Sequence, residues 1–370
     1  MPSETVLITG GAGFIGSHTA DALAARGYRI RILDNLQGEV HGGKWPKYLS
    51  SDYEKIKGDV RDKAAWEKAL AGVSAVYHLA AYQDQRLDFS RFFTTNAVST
   101  ALLYECLVEQ QLSVRNVILA SSHFVYGDGE YSYRAGGGWK TYYPPLRTLE
   151  QFENGEWEVR GPRGQPAQHI PFRETQPVFP TNSYGLSKYT LELAALRLGQ
   201  TYAIPTVALR YSIVQGERQS PRNLYSGAMR IFVSQALSGV PITVYEDGLA
   251  RRDFVNIRDV VAANVLALTD RRMDHQVFNV GAGRAYTVLQ FARAVQRLTG
   301  TESQIVLGGF RRTDTRHAVS DVTRLKRLGW KPQYTIDDSI RSYADWFLAE
   351  GWDKKVDRQA LLGLQKGIRR

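Results

Sequence analysis

The sequence holds one cysteine, Cys106, in 370 residues. A disulfide within the chain is therefore impossible, which suits a reducing compartment, and a structural zinc site is disfavoured. Cys106 sits in the apolar-periodic stretch Ala101-Leu102-Leu103-Tyr104-Glu105-Cys106-Leu107-Val108, which predicts a buried helical position. The seven histidines lack metal-ligand spacing, so no metal is expected. No apolar run is long enough for a membrane span, and the first residues lack the regions of a secretory signal. A cytoplasmic protein without a membrane partner is expected. Dense basic runs are missing too. The net charge is +10, yet the closest groupings are the pairs Arg251-Arg252, Arg311-Arg312 and Arg369-Arg370. Dispersed charge of this kind suits solvated surface and a small anionic ligand, and no nucleic-acid partner is expected.

What is present is an ordinary globular composition, 43% hydrophobic and 23% charged, with length for one large domain or two packed ones. The most informative stretch comes first. The apolar run Thr5-Val6-Leu7-Ile8-Thr9 leads into Gly10-Gly11-Ala12-Gly13, and an amphipathic segment from Phe14 to Arg26 follows. That pattern reads as strand, turn, helix. Gly10, Gly13 and Gly16 recur every three residues, so the backbone can turn sharply and admit a pyrophosphate to the helix N-terminus. Gly10, Gly13, Phe14, Ile15 and Gly16 are thus the expected cradle. The next apolar run, Arg29-Ile30-Arg31-Ile32-Leu33, ends at Asp34. A carboxylate there can accept both hydroxyls of an adenosine ribose and repels a 2′-phosphate, so NAD is the expected cofactor.

Strands and helices alternate through the first half: Tyr53–Lys57, Asp62–Ala71, Ala75–Leu79, Phe92–Gln111 and Asn116–Ala120. This predicts an α/β fold, a Rossmann-type doubly wound parallel sheet with its ligands at the carboxyl ends of the strands. Residues 127–180 break the pattern. They are rich in glycine, proline, tyrosine and arginine without clear periodicity, and are expected to form an ordered flap near the active-site mouth. Regularity returns with a helix over Asn182–Gln200 and a strand over Ile204–Arg210. Residues 1–210 are read as the NAD-binding domain and 211–370 mainly as a smaller α/β substrate-binding portion, with about 256–270 returning to the first domain.

Tyr184 and Lys188 are four residues apart and share one helix face. A free tyrosine, with a pKa near ~10, is a poor base at neutral pH. A neighbouring ammonium and a nicotinamide cation both favour its phenolate. Such a group can take the proton of a sugar hydroxyl, with Ser122 at the end of the fifth strand to orient that hydroxyl. Ser122, Tyr184 and Lys188 are the candidate catalytic set.

With these residues assembled, the sequence resembles the extended short-chain dehydrogenase/reductase family, and within it the NAD-dependent nucleotide-sugar epimerases and dehydratases. The resemblance covers nearly the whole chain. It rests on Thr9-Gly10-Gly11-Ala12-Gly13-Phe14-Ile15-Gly16, Asp34-Asn35, Gly58-Asp59-Val60, His78-Leu79-Ala80-Ala81, Asn96 and Ser121-Ser122 with Val125-Tyr126-Gly127. Further on it takes in Tyr184-Gly185-Leu186-Ser187-Lys188, Leu209-Arg210-Tyr211, Arg252-Asp253-Phe254-Val255 and Asn279-Val280-Gly281. It implies that Asp59 and Val60 contact adenine, that Lys188 also contacts the nicotinamide ribose, and that Arg252 and Arg311 hold a substrate diphosphate. Asn35, Leu79, Ala80, Ala81, Asn96 and Ser121 complete the implied cofactor set. His123 and Tyr211 join Ser122 on the substrate side.

The family's 4,6-dehydratases carry acidic residues just after the catalytic hydroxyl. Here those positions are His123 and Phe124, so dehydration is disfavoured, and His123 is open to proton transfer, hydrogen bonding or packing. The stretch Val207–Gly216, the insertion and Glu246-Asp247-Gly248 look most like dTDP-L-rhamnose 4-epimerases. Two departures stand out: Arg160-Gly161-Pro162-Arg163-Gly164 replaces a cysteine-bearing segment, and Ile213 replaces an asparagine. The implied function is C4 epimerisation of a nucleotide sugar, of the dTDP- or another NDP-6-deoxyhexose kind, through a transient 4-keto sugar. A nucleotide-sugar ketoreductase, dehydrogenase or dehydratase is the alternative, and a non-catalytic dinucleotide-binding protein a distant one. The resemblance also implies a homodimer built on the Phe92–Gln111 and Asn182–Gln200 helices.

Overall fold

The computed structural model describes residues 4–84, 86–222, 227–312 and 314–364, so the Arg369-Arg370 pair lies outside the described residues. From the N-terminus come β1 (Thr5–Thr9), α1 (Phe14–Ala24), β2 (Arg29–Asp34), the short α2 (Gly38–His41), β3 (Glu54–Lys57), α3 (Lys63–Leu70) and β4 (Ala75–His78). They are followed by α4 (Phe89–Phe92), α5 (Ser99–Glu109) and β5 (Val117–Ser122). An insertion adds β6 (Tyr131–Ala135), β7 (Gly138–Tyr142), α6 (Leu149–Glu153) and β8 (Ala167–His169) before α7 (Ser183–Thr201) and β9 (Thr206–Tyr211).

Period-two alternation with both faces apolar is what a parallel sheet needs when helices cover each side. In β1, Val6 and Ile8 join one buried cluster and Leu7 the other. Likewise Ile118 and Ala120 face one way from β5, and Val117 and Leu119 the other. The sheet has seven parallel strands in the order β3, β2, β1, β4, β5, β9 and a last strand, Gln276–Val280. This is the doubly wound Rossmann-type fold expected. The order reverses between β1 and β4, where a crevice opens at the carboxyl ends. On one face lie α5 and α7, supplying Leu103, Leu107, Leu191 and Ala195. On the other lies α1, joined from far along the chain by α9 (Ile257–Thr269), which supplies Val260, Ala263 and Ala267.

A third cluster stands beyond the sheet. Met229 and Phe232 of α8 (Ala228–Leu237), Phe291 and Val295 of α10 (Val288–Thr299), and Ile340, Tyr343 and Phe347 of the helix Ile336–Ala349 form it around Phe254. Among the described residues, no helix is long and apolar enough to cross a membrane.

Two segments differ from their sequence reading. The helix expected over Phe92–Gln111 is interrupted by a wide π-type turn at Phe93–Val98. That turn buries Asn96, whose Oδ1 accepts from the Tyr82 amide at 2.8 Å and whose Nδ2 donates to Ser187 Oγ at 2.9 Å. The insertion is more regular than its composition suggested. β6 and β7 form an antiparallel hairpin, Ala135 pairing with Gly138, closed by Gly136 and Gly137 at φ 60° and 80°. Two consecutive left-handed residues are what a two-residue hairpin loop requires, and glycine takes that conformation freely. None of residues 127–180 lines the two large cavities described below; the insertion braces from behind the loop that does.

Candidate active site

The first cavity, about 650 Å³, follows the crevice beside β1 and β4. Its floor is the glycine turn. A Cβ on Gly10 (φ 67°) would lie 2.8 Å from the Ala80 backbone, and one on Gly16 would lie 2.3 Å from the Gly10 carbonyl oxygen. Those two glycines let helix, turn and neighbouring strand meet. Gly13 meets only the Gly10 oxygen, at 3.2 Å, and faces the cavity. It also caps α1 without a side chain, and no acidic residue follows in the first turn, so the helix presents amides that suit a diphosphate. Asp34 closes the far end, its carboxylate accepting from the Ala12 amide at 3.1 Å and the Leu36 amide at 2.8 Å. Asn35, Val60, Leu79, Ala80 and Ala81 line the same space. A backbone cradle for an anion beside a carboxylate at the ribose end fits NAD.

The second cavity, about 380 Å³, adjoins the first and shares Phe14, Ile15, Leu79 and Ala81 with it. Ser122, Tyr184 and Lys188 line it, and the local sequence explains how they meet. Asn182 caps α7, its Oδ1 accepting from the Gly185 amide at 2.8 Å. Gly185 in turn presses on the turn after β5, where a Cβ would sit 2.5 Å from the Phe124 carbonyl oxygen. Only glycine allows α7 to start that close. Tyr184 is thereby brought beside Ser122, and Lys188 reaches beneath it to donate to the Ala120 carbonyl at 2.7 Å. The Lys188 Nζ is 5.8 Å from the centre of the Tyr184 ring.

Burial sets the electrostatics of this trio. Desolvation pulls the Lys188 ammonium down to about 7, and it pushes the Tyr184 phenol up to about 12 against the opposing hydrogen bond to Ser122. In the protein alone the tyrosine therefore keeps its proton. His123 also lines the cavity; burial, aided by the Arg252 charge, lowers it to about 4 although its bond to Tyr211 opposes this.

Arg252 and Arg311 line the same cavity. The Arg252 guanidinium donates to the Arg251, Arg316 and Thr315 carbonyls, each at 2.9 Å, and among the described residues it pairs with no carboxylate at hydrogen-bond distance. Arg311 stacks over Tyr245, 4.9 Å from the ring centre. Behind Arg252, the buried Asp253 accepts from the Ala282 amide at 2.8 Å and the Ser320 amide at 3.2 Å. The loop carrying Thr315 is held from outside by the insertion. Arg316 pairs with Glu158 at 2.5 Å, Glu246 at 2.8 Å and Asp247 at 2.7 Å, and Arg147 pairs with Glu246 at 3.0 Å.

Several expected contact residues have their polar groups already engaged. Asp59 accepts from Asn35 Nδ2 at 3.0 Å and from Arg61 Nη2 at 2.8 Å, and it anchors the crevice rim. Asn96 braces the Tyr82 backbone and Ser187. Ser121 Oγ donates to Glu192 at 2.7 Å, and the Tyr211 hydroxyl donates to Asn264 at 2.7 Å. Asp59 and Asn96 brace neighbouring segments, while Ser121 and Tyr211 also line the second cavity. Other residues escaped the sequence reading: Tyr48, whose hydroxyl donates to the Ala12 carbonyl at 2.7 Å, and Arg218, which stacks on Tyr48 and pairs with Asp21 at 2.7 Å across the crevice. No local spacing marked either one.

A nucleotide-binding sheet with a tyrosine, lysine and serine at its carboxyl edge defines a dinucleotide-dependent enzyme that handles a hydroxyl-bearing carbon. Residues 6–151 and 161–281 match the NAD dependent epimerase/dehydratase family, and the chain belongs to it, with NAD as its cofactor. It is 33% identical to the dTDP-L-rhamnose 4-epimerase of Burkholderia thailandensis over 96% of this chain and 98% of that protein. Among solved structures it resembles the UDP-glucose 4-epimerase of Thermotoga maritima with UDP-glucose (28% identity, TM-score 0.76, covering 94% of this chain and 99% of that one). The Thermus thermophilus UDP-glucose 4-epimerase in complex with NAD is similar at 28% identity and TM-score 0.75, covering 93% and 99%.

Proposed function

We propose that the protein is an NAD-dependent nucleotide-sugar 4-epimerase acting on a nucleoside-diphosphate 6-deoxyhexose of the dTDP-linked kind. One observation carries this reading: Ser122, Tyr184 and Lys188 open onto the same cavity as Arg252 and Arg311. Two guanidiniums suit a diphosphate, since their planar forks match phosphate oxygens. Bound NAD supplies the oxidation and reduction at C4, and its positive ring adds to the charge of Lys188 in favouring the phenolate. Tyr184 then takes the 4-hydroxyl proton while Ser122 orients that hydroxyl, and the same tyrosine returns the proton after the 4-keto sugar turns over. Phe124, Ile213, Ile231 and Phe232 form an apolar wall that offers a turning sugar no fixed hydrogen bond and accommodates a C6 methyl. With His123 and Phe124 following Ser122, the positions next to the catalytic hydroxyl hold no carboxylate, which counts against dehydration. The Burkholderia relative supports the 6-deoxyhexose.

The homodimer belongs to this proposal. Phe89, Val98, Leu186 and Leu193 are exposed apolar side chains on the α4–α5 and α7 segments, a surface suited to a second copy. Leu193→Asp is expected to give a monomer by light scattering; an unchanged monomer in the parent protein removes the dimer.

The deciding assay follows purified protein by NMR against nucleotide hexoses and 6-deoxyhexoses, with NAD far below substrate. Many turnovers to a C4 epimer without net NADH are expected. Stoichiometric NADH instead assigns a dehydrogenase, and turnover only with reduced cofactor assigns a reductase.

A further inference from the structure

His123 opens the single turn His123–Tyr126 that follows Ser122 at the end of β5. Its Nδ1 is 3.1 Å from the Tyr211 carbonyl oxygen. A carbonyl only accepts, so Nδ1 must carry the proton, and the neutral ring leaves a bare lone pair on Nε2. The Phe124 ring lies 4.6 Å away, centre to centre, and limits how the imidazole can turn. Nε2 makes no hydrogen bond within the protein among the described residues, and it lies on the side of the ring opposite the tethered nitrogen. The ring itself lines the cavity of Ser122 and Tyr184, with only 6% of the residue exposed.

We propose that His123 determines specificity as a hydrogen-bond acceptor of fixed tautomer, taking a bond at Nε2 from a sugar hydroxyl at C2 or C3. The proposal rests on the 4-epimerase reading and adds a demand that reading does not contain: a donor at one ring position besides the reacting one. Burial and the Arg252 charge keep the ring neutral through the physiological range, so it accepts there without exchanging a proton. A buried acceptor that loses its donor is left unpaired, so a missing hydroxyl costs more than a missing contact.

The test measures dissociation constants on the NAD-loaded Tyr184→Phe protein, so that binding is read without turnover. The probes are dTDP-L-rhamnose and its 2-deoxy and 3-deoxy analogues, with UDP-glucose and the matching analogues in parallel. One of the two deoxy positions is expected to weaken binding about 10- to 100-fold in the presence of His123. Adding His123→Leu should abolish the difference between parent sugar and that analogue, and His123→Gln, which keeps an acceptor near the Nε2 position, should restore part of it. Melting curves confirm that each variant is folded, and the glutamine variant alone carries the comparison if the leucine variant is not. Equal affinity for all analogues overturns the proposal, as does a deoxy penalty that persists in His123→Leu. Binding of the glucose series alone overturns the 6-deoxyhexose assignment and leaves the His123 comparison to be read on that series. Binding of neither sugar overturns the substrate class and the proposal with it.

Discussion

The two adjoining cavities are built by different means. The floor of the cofactor crevice is made of backbone: residues at the ends of β1, β2 and β4, with Gly10 and Gly16 where turn, helix and neighbouring strand meet. The substrate cavity is made of side chains brought from residues as far apart as Ser122, Tyr184, Arg252 and Thr315. Ion pairs of the buried Arg316 with Glu246, Asp247 and the half-exposed Glu158 hold its outer loop. A backbone cradle is specified by where side chains are missing. A cavity assembled from distant loops is specified by which side chains pair, and its shape therefore depends on residues that never face the ligand.

The largest way to sharpen that contrast is Tyr184→Phe, which removes one oxygen from the substrate side only. Turnover should fall about 10²- to 10⁴-fold, the usual worth of a positioned acid–base group, while NAD affinity by fluorescence titration stays near that of the parent. Full activity in this variant would break the mechanism. Next comes Arg316→Met, which leaves Asp247 and Glu158 without their guanidinium and Glu246 with Arg147 alone. Losing one partner of a buried pair costs about 3–5 kcal/mol, and the melting temperature should drop accordingly. KM for the nucleotide sugar should rise with it, since Arg252 leans on the Thr315 and Arg316 carbonyls.

Gly16→Ala acts on the other side of the comparison. Its new Cβ would meet the Gly10 carbonyl at 2.3 Å, where only backbone could move. Overpacking of this kind costs about 1–3 kcal/mol, and here NAD retention through gel filtration should suffer more than nucleotide-sugar affinity. Loss of sugar binding with intact NAD retention would mean the cavities are not separable.

The smallest effect is an acid response. The His317 hydrogen bond foremost, with Arg316 helping against burial, holds Glu158 at about 2, below its ordinary 4.5. The resulting stabilisation is complete above pH 4.5 and lost as pH falls towards 2. Glu158 is half exposed, so solvent screens the effect and the slope is shallow. Melting curves between neutrality and pH 3 should fall less steeply for Glu158→Gln than for the parent; identical slopes would remove Glu158 from the acid response.

The same contrast explains what could be read in advance. The glycine spacing, Asp34 and the Tyr184–Lys188 pair were legible because each is a local pattern whose meaning depends on a few neighbouring residues. The hairpin at residues 131–142 was legible in principle, since Gly136-Gly137 is a strong turn signal, but the surrounding composition masked its alternation. Asp59, Asn96 and Tyr211 also hold structural hydrogen bonds, with Arg61, Ser187 and Asn264 respectively, that the sequence reading did not foresee. Two of those three partners lie more than fifty residues away, and pairing over such distances leaves no trace in local spacing. Nor did any spacing reveal that Glu158, in the least regular part of the chain, answers Arg316.

That last pairing has a consequence for how enzymes of this design diverge. The insertion lines neither cavity, yet it holds the loop that carries Thr315 and Arg316 beside the second one. Changes in its length or charge can therefore retune which sugar is accepted while every lining residue stays the same. Two relatives with identical cavity walls could differ in preference, and a directed-evolution library confined to the lining would miss the cause. Randomising Arg147 and Glu158 together with their partners would reach it.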